Sequence, residues 1–505
     1  MPADPDAPIR KIVIAGGGTA GWMAAALLAR CLGGAVRVEL VESEAIGAIG
    51  VGEATIPPIR HFNDTLGIDE DDFIRKTGAT FKLGIQFDGW GRPFDCYTHA
   101  FGKIGLDLQL GDFYQYWLRS RAEGNPDKLW NYSISALAAA VHRFDRVDPG
   151  PNGKFSYAYH FDASLYAAYL RSYSEARGVK RTEGRIAHVE CDSTDGHIVS
   201  LALDGGRKVR GDFFIDCTGF RRLLIGEALG VPYEDWSHWL PCDRAVALPC
   251  ESTLPLLAHT RAIARSAGWQ WRIPLQHRLG NGHVYCSALM SDDEATAILL
   301  AGIDGKATAD PKPLRFTTGR CREFWRKNCV ALGLAAGFME PLESTSIHLI
   351  QKGISRLVGY FPSSPADEVA PRLYNREMQV EFDGIRDFLI LHYKENQRED
   401  SDFWRACRDM RPPDELDYRI QLFRENAQVY AAPGEMFLGN SWVQVLLGQN
   451  VVPRTYHRLA DSIGSAELRD YMSRVRSAVV NTVRNMPSHA DFIAAHCAMD
   501  VTSRP

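Results

Sequence analysis

Lys11-Ile12-Val13-Ile14-Ala15-Gly16-Gly17-Gly18-Thr19-Ala20-Gly21 decides the fold of this chain. A short buried strand, Lys11 to Ala15, runs into Gly16-x-Gly18-x-x-Gly21, and an Ala- and Leu-rich helical stretch continues to about Leu32. Val36 to Val41 reads as the next strand, with Glu42 at its end. Glycines at this spacing allow a tight turn and close approach of backbone N–H groups to a pyrophosphate, and the acid can reach a ribose hydroxyl. The reading is a βαβ dinucleotide-binding unit with Gly16, Gly18, Thr19, Ala20, Gly21 and Glu42 at the cofactor. The competing reading is a glycine-rich turn in some other α/β protein. The uncharged run after Arg10 and Lys11 also has the length of a signal peptide or membrane span, but its four glycines favour strand, turn and helix.

Working outward, Ile49-Gly50-Val51-Gly52-Glu53-Ala54-Thr55 is a second glycine-rich loop soon after the βαβ unit. Ile186 to Leu203 alternates apolar and polar around the turn Asp195-Gly196, as a β-meander does. Gly211 to Ile215 reads as a strand ending in Asp216-x-x-Gly219. Flavoprotein hydroxylases are built in this way, so FAD is favoured over NAD(P). Val51, Ala54, Ile186, Asp216, Leu334 and Ile347 complete the expected cofactor contacts. There is no second GxGxxG for a nicotinamide, so reduced flavin has to come from elsewhere or from another protein.

The expected fold class is α/β: an FAD-binding module of the flavin-monooxygenase type with an additional, mainly helical substrate-side part. The module is expected over 1–360, with inserted segments at about 94–150 and 230–290, and the helical part over 361–505, after Pro362, Pro365 and Pro371. The chain has 505 residues, 45% hydrophobic and 24% charged, as soluble globular proteins do. A net charge of -5 gives no reason to expect nucleic acid or a membrane as partner. The eleven cysteines are scattered with no CxxC, which predicts reduced thiols and no metal site. With no other candidate span and no lipidation signal, a cytoplasmic protein is expected.

Four further stretches suggest chemistry. Gly337-Phe338-Met339-Glu340-Pro341-Leu342-Glu343-Ser344-Thr345-Ser346-Ile347-His348-Leu349 reads as a turn with two carboxylates, then a hydroxyl-rich helix start able to hold an anion. Phe81 to Phe87 alternates like a strand, with Lys82 a lone cation in an apolar context; alone, that reads as an edge-strand lysine in water. Residues 94–150 are rich in aromatics, either a substrate wall or a core layer, and His160 reads as structural. Trp269 and Trp271 share a strand face, as packing or as the wall of a cavity.

Gly16-x-Gly18-x-x-Gly21, Phe81-Lys82-x-Gly84-Ile85, Trp269-x-Trp271-x-Ile273-Pro274 and Glu340-Pro341-Leu342-Glu343-Ser344-Thr345 occur in the order seen in the flavin-dependent halogenases of the tryptophan halogenase family, which this chain resembles from about residue 11 to at least 455. The resemblance implies that FADH2 from a separate NAD(P)H-dependent reductase, O2 and chloride or bromide give hypohalous acid, which passes through an internal tunnel to a small aromatic substrate. It implies that Lys82 hydrogen-bonds to this species or is halogenated by it. Glu343 polarises it and takes the arene proton, and Thr345 and Ser346 hold the halide. Trp269, Trp271, Ile273 and Pro274 line the tunnel, and His99, Phe101 and Trp442 wall the substrate. A homodimer is compatible with the resemblance. Family members acting on free tryptophan carry a Tyr-Tyr-rich segment with a clamping glutamate. Here Tyr430-Ala431-Ala432-Pro433-Gly434-Glu435 stands in its place, which favours a simple indole or another electron-rich arene over tryptophan. A single-component aromatic monooxygenase and a non-catalytic flavin-binding module are the competing functions.

Overall fold

The computed structural model describes residues 8–46, 52–108, 111–147, 155–252 and 255–500. The chain divides into two compact units, each assembled from three separated stretches: 1–77, 161–243 and 315–383 in one, and 78–160, 244–314 and 384–505 in the other.

The first unit is built on a six-stranded sheet, with strand order Trp325–Arg326, Cys329–Ala331, Phe213–Asp216, Lys11–Ala15, Arg37–Glu42, Lys180–Glu183. All neighbours are parallel except the edge strand Trp325–Arg326. Ile12, Val13, Ile14 and Ala15 are wholly buried, as a central parallel strand covered on both faces requires. Helix Thr19–Leu32 packs on the sheet through Trp22 to Leu28. Strands Ile186–Cys191, Ile198–Leu203 and Lys208–Arg210 form the expected meander, turning at Gly196 with φ +70°. In open parallel sheets, ligands bind beyond the carboxyl ends of the strands. Gly16, Glu42, Asp216 and Gly333 all lie at or just past those ends.

The second unit carries a long, seven-stranded sheet in the order Lys312–Arg315, Arg244–Cys250, Leu279–Tyr285, Gly268–Pro274, Thr260–Arg265, Gly84–Asp88, Cys96–Ala100. From Arg244–Cys250 to Cys96–Ala100 its pairs are antiparallel apart from Thr260–Arg265 with Gly84–Asp88. Beyond residue 361, the described residues are helices and connections. Helices Val369–Lys394, Asp414–Asn426 and Ser465–Asn485 stand where apolar spacing places helices. No helix among the described residues is long and apolar enough to cross a membrane.

The expected strand Phe81–Phe87 is two strands. Thr80–Lys82 pairs with Ala158–Asp162, whereas Gly84–Asp88 joins the long sheet. The chain changes sheets at Leu83, whose N–H is taken by the Ala258 carbonyl at 2.7 Å. Lys82 therefore ends an edge strand, as expected, but that edge is covered and the lysine is buried, not in water.

Candidate functional site

The glycine turn of the first unit has the shape its sequence requires. Gly16 adopts φ +107°, and a Cβ there would stand 2.3 Å from the Cys217 carbonyl oxygen. A Cβ on Gly21 would stand 1.9 Å from the Gly16 carbonyl oxygen, so helix and turn can approach only without side chains. Gly18 is exposed with no atom near its Cβ position, and it begins the helix without a side-chain cap. The N–H groups of the first turn, from Thr19 and Ala20 onward, are therefore presented outward with the positive end of the helix dipole. Glu42 lies over the turn, with Oε2 1.5 Å from the Cβ position of Gly17, and its other oxygen accepts from Arg181 at 2.5 Å. Gly333 packs against Ala20, which brings the neighbouring half-buried Leu334 to the same end of the helix. These residues fit a dinucleotide: an exposed cradle of N–H groups for the pyrophosphate and a carboxylate beside it.

Asp216 is wholly buried, and both its oxygens are used within the chain. Oδ1 accepts from Thr218 N at 2.9 Å and Oγ1 at 2.6 Å, and Oδ2 accepts from Leu224 N and Ile225 N at 2.8 Å each. It shapes the turn beyond its strand. Ala54 and Ile347 are buried and Ile186 is half-buried on its meander strand. Val51 lies outside the described residues.

Pro341–Glu343 forms a 3-10 turn, Ser344 takes a left-handed φ of +59°, and helix Ser346–Gly359 begins after Thr345. Such a φ is unusual for a residue with a Cβ and marks a position held by its surroundings. Glu343 is wholly buried. Thr345 is 1% exposed, and its Oγ1 has no hydrogen-bond partner. Ser346 is half-buried. An unpartnered hydroxyl beside free first-turn N–H groups matches the donor set of an anion site. Behind it, His348 Nε2 meets Glu381 Oε1 at 2.8 Å and Arg356 donates to Glu381 Oε2 at 3.0 Å, tying the helix to Val369–Lys394. Burial alone would push the Glu381 carboxyl up; His348, Lys352 and Arg356 hold it below its ordinary value.

In the second unit, Lys82 is wholly buried, and its Nζ lies 5.3 Å from the centroid of the buried Phe101 ring. His160 faces it from the paired strand, wholly buried, and burial and then the Lys82 charge hold its pKa well below the ordinary value. The aromatics of 94–150 do not form one wall. Phe113 packs with Tyr132 and Tyr471, and Tyr116 with Tyr471, as core. His99 stands apart, with ring contacts to Phe388 at 5.5 Å and Phe437 at 5.9 Å. Phe388 stacks on Phe437 at 3.8 Å and meets Trp442 edge-on at 5.1 Å. Helix Gly439–Gly448 is fixed to the strand of His99 by Gln444, which bonds both the N–H and the carbonyl of Ala100. His99 and Trp442 thus share one aromatic set, to which sequence reading did not assign Phe388 and Phe437. Phe388 sits mid-helix in an ordinary apolar pattern, so only its partners distinguish it.

Trp269 and Trp271 lie on one strand face with centroids 6.2 Å apart, and Trp269 also meets Trp90. Trp271 lies across Gly282 of the next strand, where a Cβ would fall 2.0 Å from its ring. Ile273 and Pro274 continue the same buried strand. All eleven cysteines are free, and no cluster of metal-ligand residues occurs among the described residues.

A parallel sheet with a glycine turn and an acid at its carboxyl ends defines an α/β dinucleotide-binding protein. Residues 11–465 match the model of the tryptophan halogenase family, and the chain belongs to that family. It is 34% identical to tryptophan 6-halogenase SttH of Streptomyces toxytricini over 96% of this chain and 98% of that protein. It is similar in structure to Xcc4156, a flavin-dependent halogenase from Xanthomonas campestris, with TM-score 0.95, 48% identity and coverage of 98% and 99% of the two chains. It is also similar to BrvH, a flavin-dependent halogenase from Brevundimonas sp. BAL3, with TM-score 0.93, 44% identity and coverage of 97% and 99%.

Proposed function

We propose that this protein is a flavin-dependent halogenase that transfers chlorine or bromine to an electron-rich aromatic, an indole derivative above others. The observation that carries the reading, within a halogenase family, is the wholly buried Lys82 ammonium beside the Phe101 ring. A cation removed from water is costly, and a desolvated lysine is suited to act as donor or nucleophile.

The first-turn N–H groups at Gly18, Thr19 and Ala20 hold the pyrophosphate of FAD, and Glu42 holds a ribose hydroxyl. When bound and reduced by a separate flavin reductase, the flavin would give two electrons to O2 and the halide the other two, so that one oxygen leaves as water and the other as hypohalous acid. Thr345 Oγ1 and the N–H groups around Ser346 hold the halide before oxidation. Trp269, Trp271, Ile273 and Pro274 line the route of the electrophile. Lys82 holds the electrophile by a hydrogen bond or as its haloamine. His99, Phe101 and Trp442, with Phe388 and Phe437, hold the arene ring, and Glu343 is the carboxylate to which the resemblance assigns the proton displaced by the halogen.

The test combines the protein with FAD, a flavin reductase, NADH, bromide or chloride and indole, with products read by mass spectrometry. Halogenated indole that requires every component is expected, and Lys82→Ala should abolish it while flavin binding and oxidation persist. Hydroxylated indole formed without halide would overturn the reading in favour of a monooxygenase, and full halogenation by Lys82→Ala would remove the role given to the lysine.

A further inference from the structure

Arg419 and Glu435 close the aromatic set with a pair of charges that are used up on each other. Arg419 Nη1 donates to Glu435 Oε2 at 2.8 Å and Nη2 to Oε1 at 2.6 Å, a two-pronged contact between side chains only 5% and 10% exposed. The Ala432 N–H gives Oε2 a further bond at 3.1 Å. Arg419 Nε and Nη2 also reach Glu415 Oε1 at 3.4 and 3.3 Å, and Tyr430 donates its hydroxyl proton to the same oxygen. The guanidinium lies over Trp442, 4.9 Å from the ring centroid, and over Tyr430 at 4.6 Å. Glu435 lies along Gly384, whose Cβ position is 3.2 Å from its Cγ, and it stands two residues before Phe437. The one carboxylate of the loop that leads into the aromatic set is therefore neutralised in place, and the cation that neutralises it is itself held between Glu435 and Glu415.

We propose that the Arg419–Glu435 pair makes this enzyme selective for uncharged arenes, by occupying the position where a charged substituent on the ring would seek its counter-charge. The inference rests on the reading of His99 and Trp442 as the arene site. An arene bearing an ammonium finds no free carboxylate, and one bearing a carboxylate finds no free guanidinium; either would have to break a two-pronged, desolvated contact. A neutral indole asks for no counter-charge, only for contact with the aromatic set of His99 and Trp442. Specificity then arises from a repulsive element, charge already satisfied, as much as from attraction.

The test measures binding and turnover separately. Dissociation constants of indole, tryptamine and indole-3-propionate are taken by calorimetry for the parent, Arg419→Gln, Glu435→Gln and the double variant, each saturated with FAD, and halogenation of the same compounds is followed with reductase and bromide. Arg419→Gln frees Glu435 and should shift the tryptamine-to-indole affinity ratio by at least about tenfold towards the cation. Glu435→Gln should shift the propionate-to-indole ratio by a similar factor towards the anion. The double variant removes both charges of the pair and leaves only the exposed Glu415 without its arginine, so it should return to the parent preference. Ratios that stay at the parent values in both single variants would overturn the proposal, whether or not halogen is transferred. Shifted ratios without halogenated product would retain it and count against the halogenase reading alone.

Discussion

Thr80 Oγ1 stands 2.9 Å from His160 Nδ1 and donates its own proton to the Pro274 carbonyl at 2.7 Å. A hydroxyl has a single proton to give, so Thr80 can only accept from the imidazole. That fixes the ring proton on Nδ1 and leaves Nε2 to accept from Thr260 Oγ1 at 2.9 Å. The strand register sets Thr80 opposite His160 and Lys82 opposite Ala158, so the neutral imidazole lies on the same strand face as the lysine.

Thr80→Val keeps the shape of the side chain but leaves the Nδ1–H without an acceptor. The loss expected is about 1–3 kcal/mol in urea unfolding, with Thr80→Ser near the parent. Acid should add to the difference seen in the parent. The folded His160 pKa is depressed, so stability is complete above the unfolded value of 6.5 and falls as pH drops below it. His259 and His489, held at about 4 by burial first, act in the same direction. A parent protein whose unfolding midpoint is flat between pH 7 and pH 5 would contradict this account.

Gly282 matters through Trp271. The two are register partners on adjacent strands, and the indole lies where a methyl group would have to go. Gly282→Ala should force the ring from its position at a cost of about 1–3 kcal/mol in chemical denaturation. If Trp271 lines the route of the electrophile, the variant should also release more free oxidant per NADH consumed, read with a halogen-accepting dye. An Ala variant as stable as the parent would mean that the indole has room to move.

The cofactor end of this fold was legible because its chemistry is local. Gly16, Gly18 and Gly21 follow one strand and open one helix, and Glu42 closes the next, so spacing alone carries the geometry. Asp216 was legible as a strand end, but not as a residue whose oxygens accept from three backbone N–H groups and the Thr218 hydroxyl; that depends on the turn folding back over eight or nine residues. Lys82 shows the reverse. Its pattern reads as an edge strand, which it is, but that this edge is buried follows only from tertiary packing around the change of sheet at Leu83, supported by the distant Ala258 carbonyl. Phe388 and Arg419 lie in helices whose patterns are ordinary, and their partners, Phe437, Trp442 and Glu435, are brought to them by tertiary packing.

Thr345 offers a separable test of the halide site. Its hydroxyl is buried without a partner, which ordinarily costs free energy in the empty protein. Thr345→Val should therefore be as stable as the parent or more stable by about 1 kcal/mol in halide-free buffer. The same change should raise the bromide KM by roughly tenfold, the equivalent of about 1.4 kcal/mol, with indole KM unchanged. A variant that loses stability without bromide, or keeps the parent bromide KM, would show that the hydroxyl serves the fold and not the anion.

Glu53 supplies a pH dependence of opposite sign to that of the histidines. Burial, and then the charge of Asp162, pushes its carboxyl up to about 7. Asp162 is committed elsewhere, since its side chain accepts from Ser164 N at 2.9 Å and Leu165 N at 3.3 Å to cap helix Ala163–Glu175. Between the unfolded value of 4.5 and about 7, the folded state binds more protons at this residue than the unfolded state, so stability falls as pH rises through that window. Glu53→Gln has no proton to lose. Its stability should match the parent near pH 4 and exceed it above pH 7 by up to about 3 kcal/mol, the free energy of a shift of roughly two units or more. Urea midpoints of the two proteins at pH 5, 6, 7 and 8 measure this directly. The curves should diverge steadily with pH; parallel curves would mean that Glu53 ionises as an ordinary surface carboxylate and that Asp162 exerts no field on it.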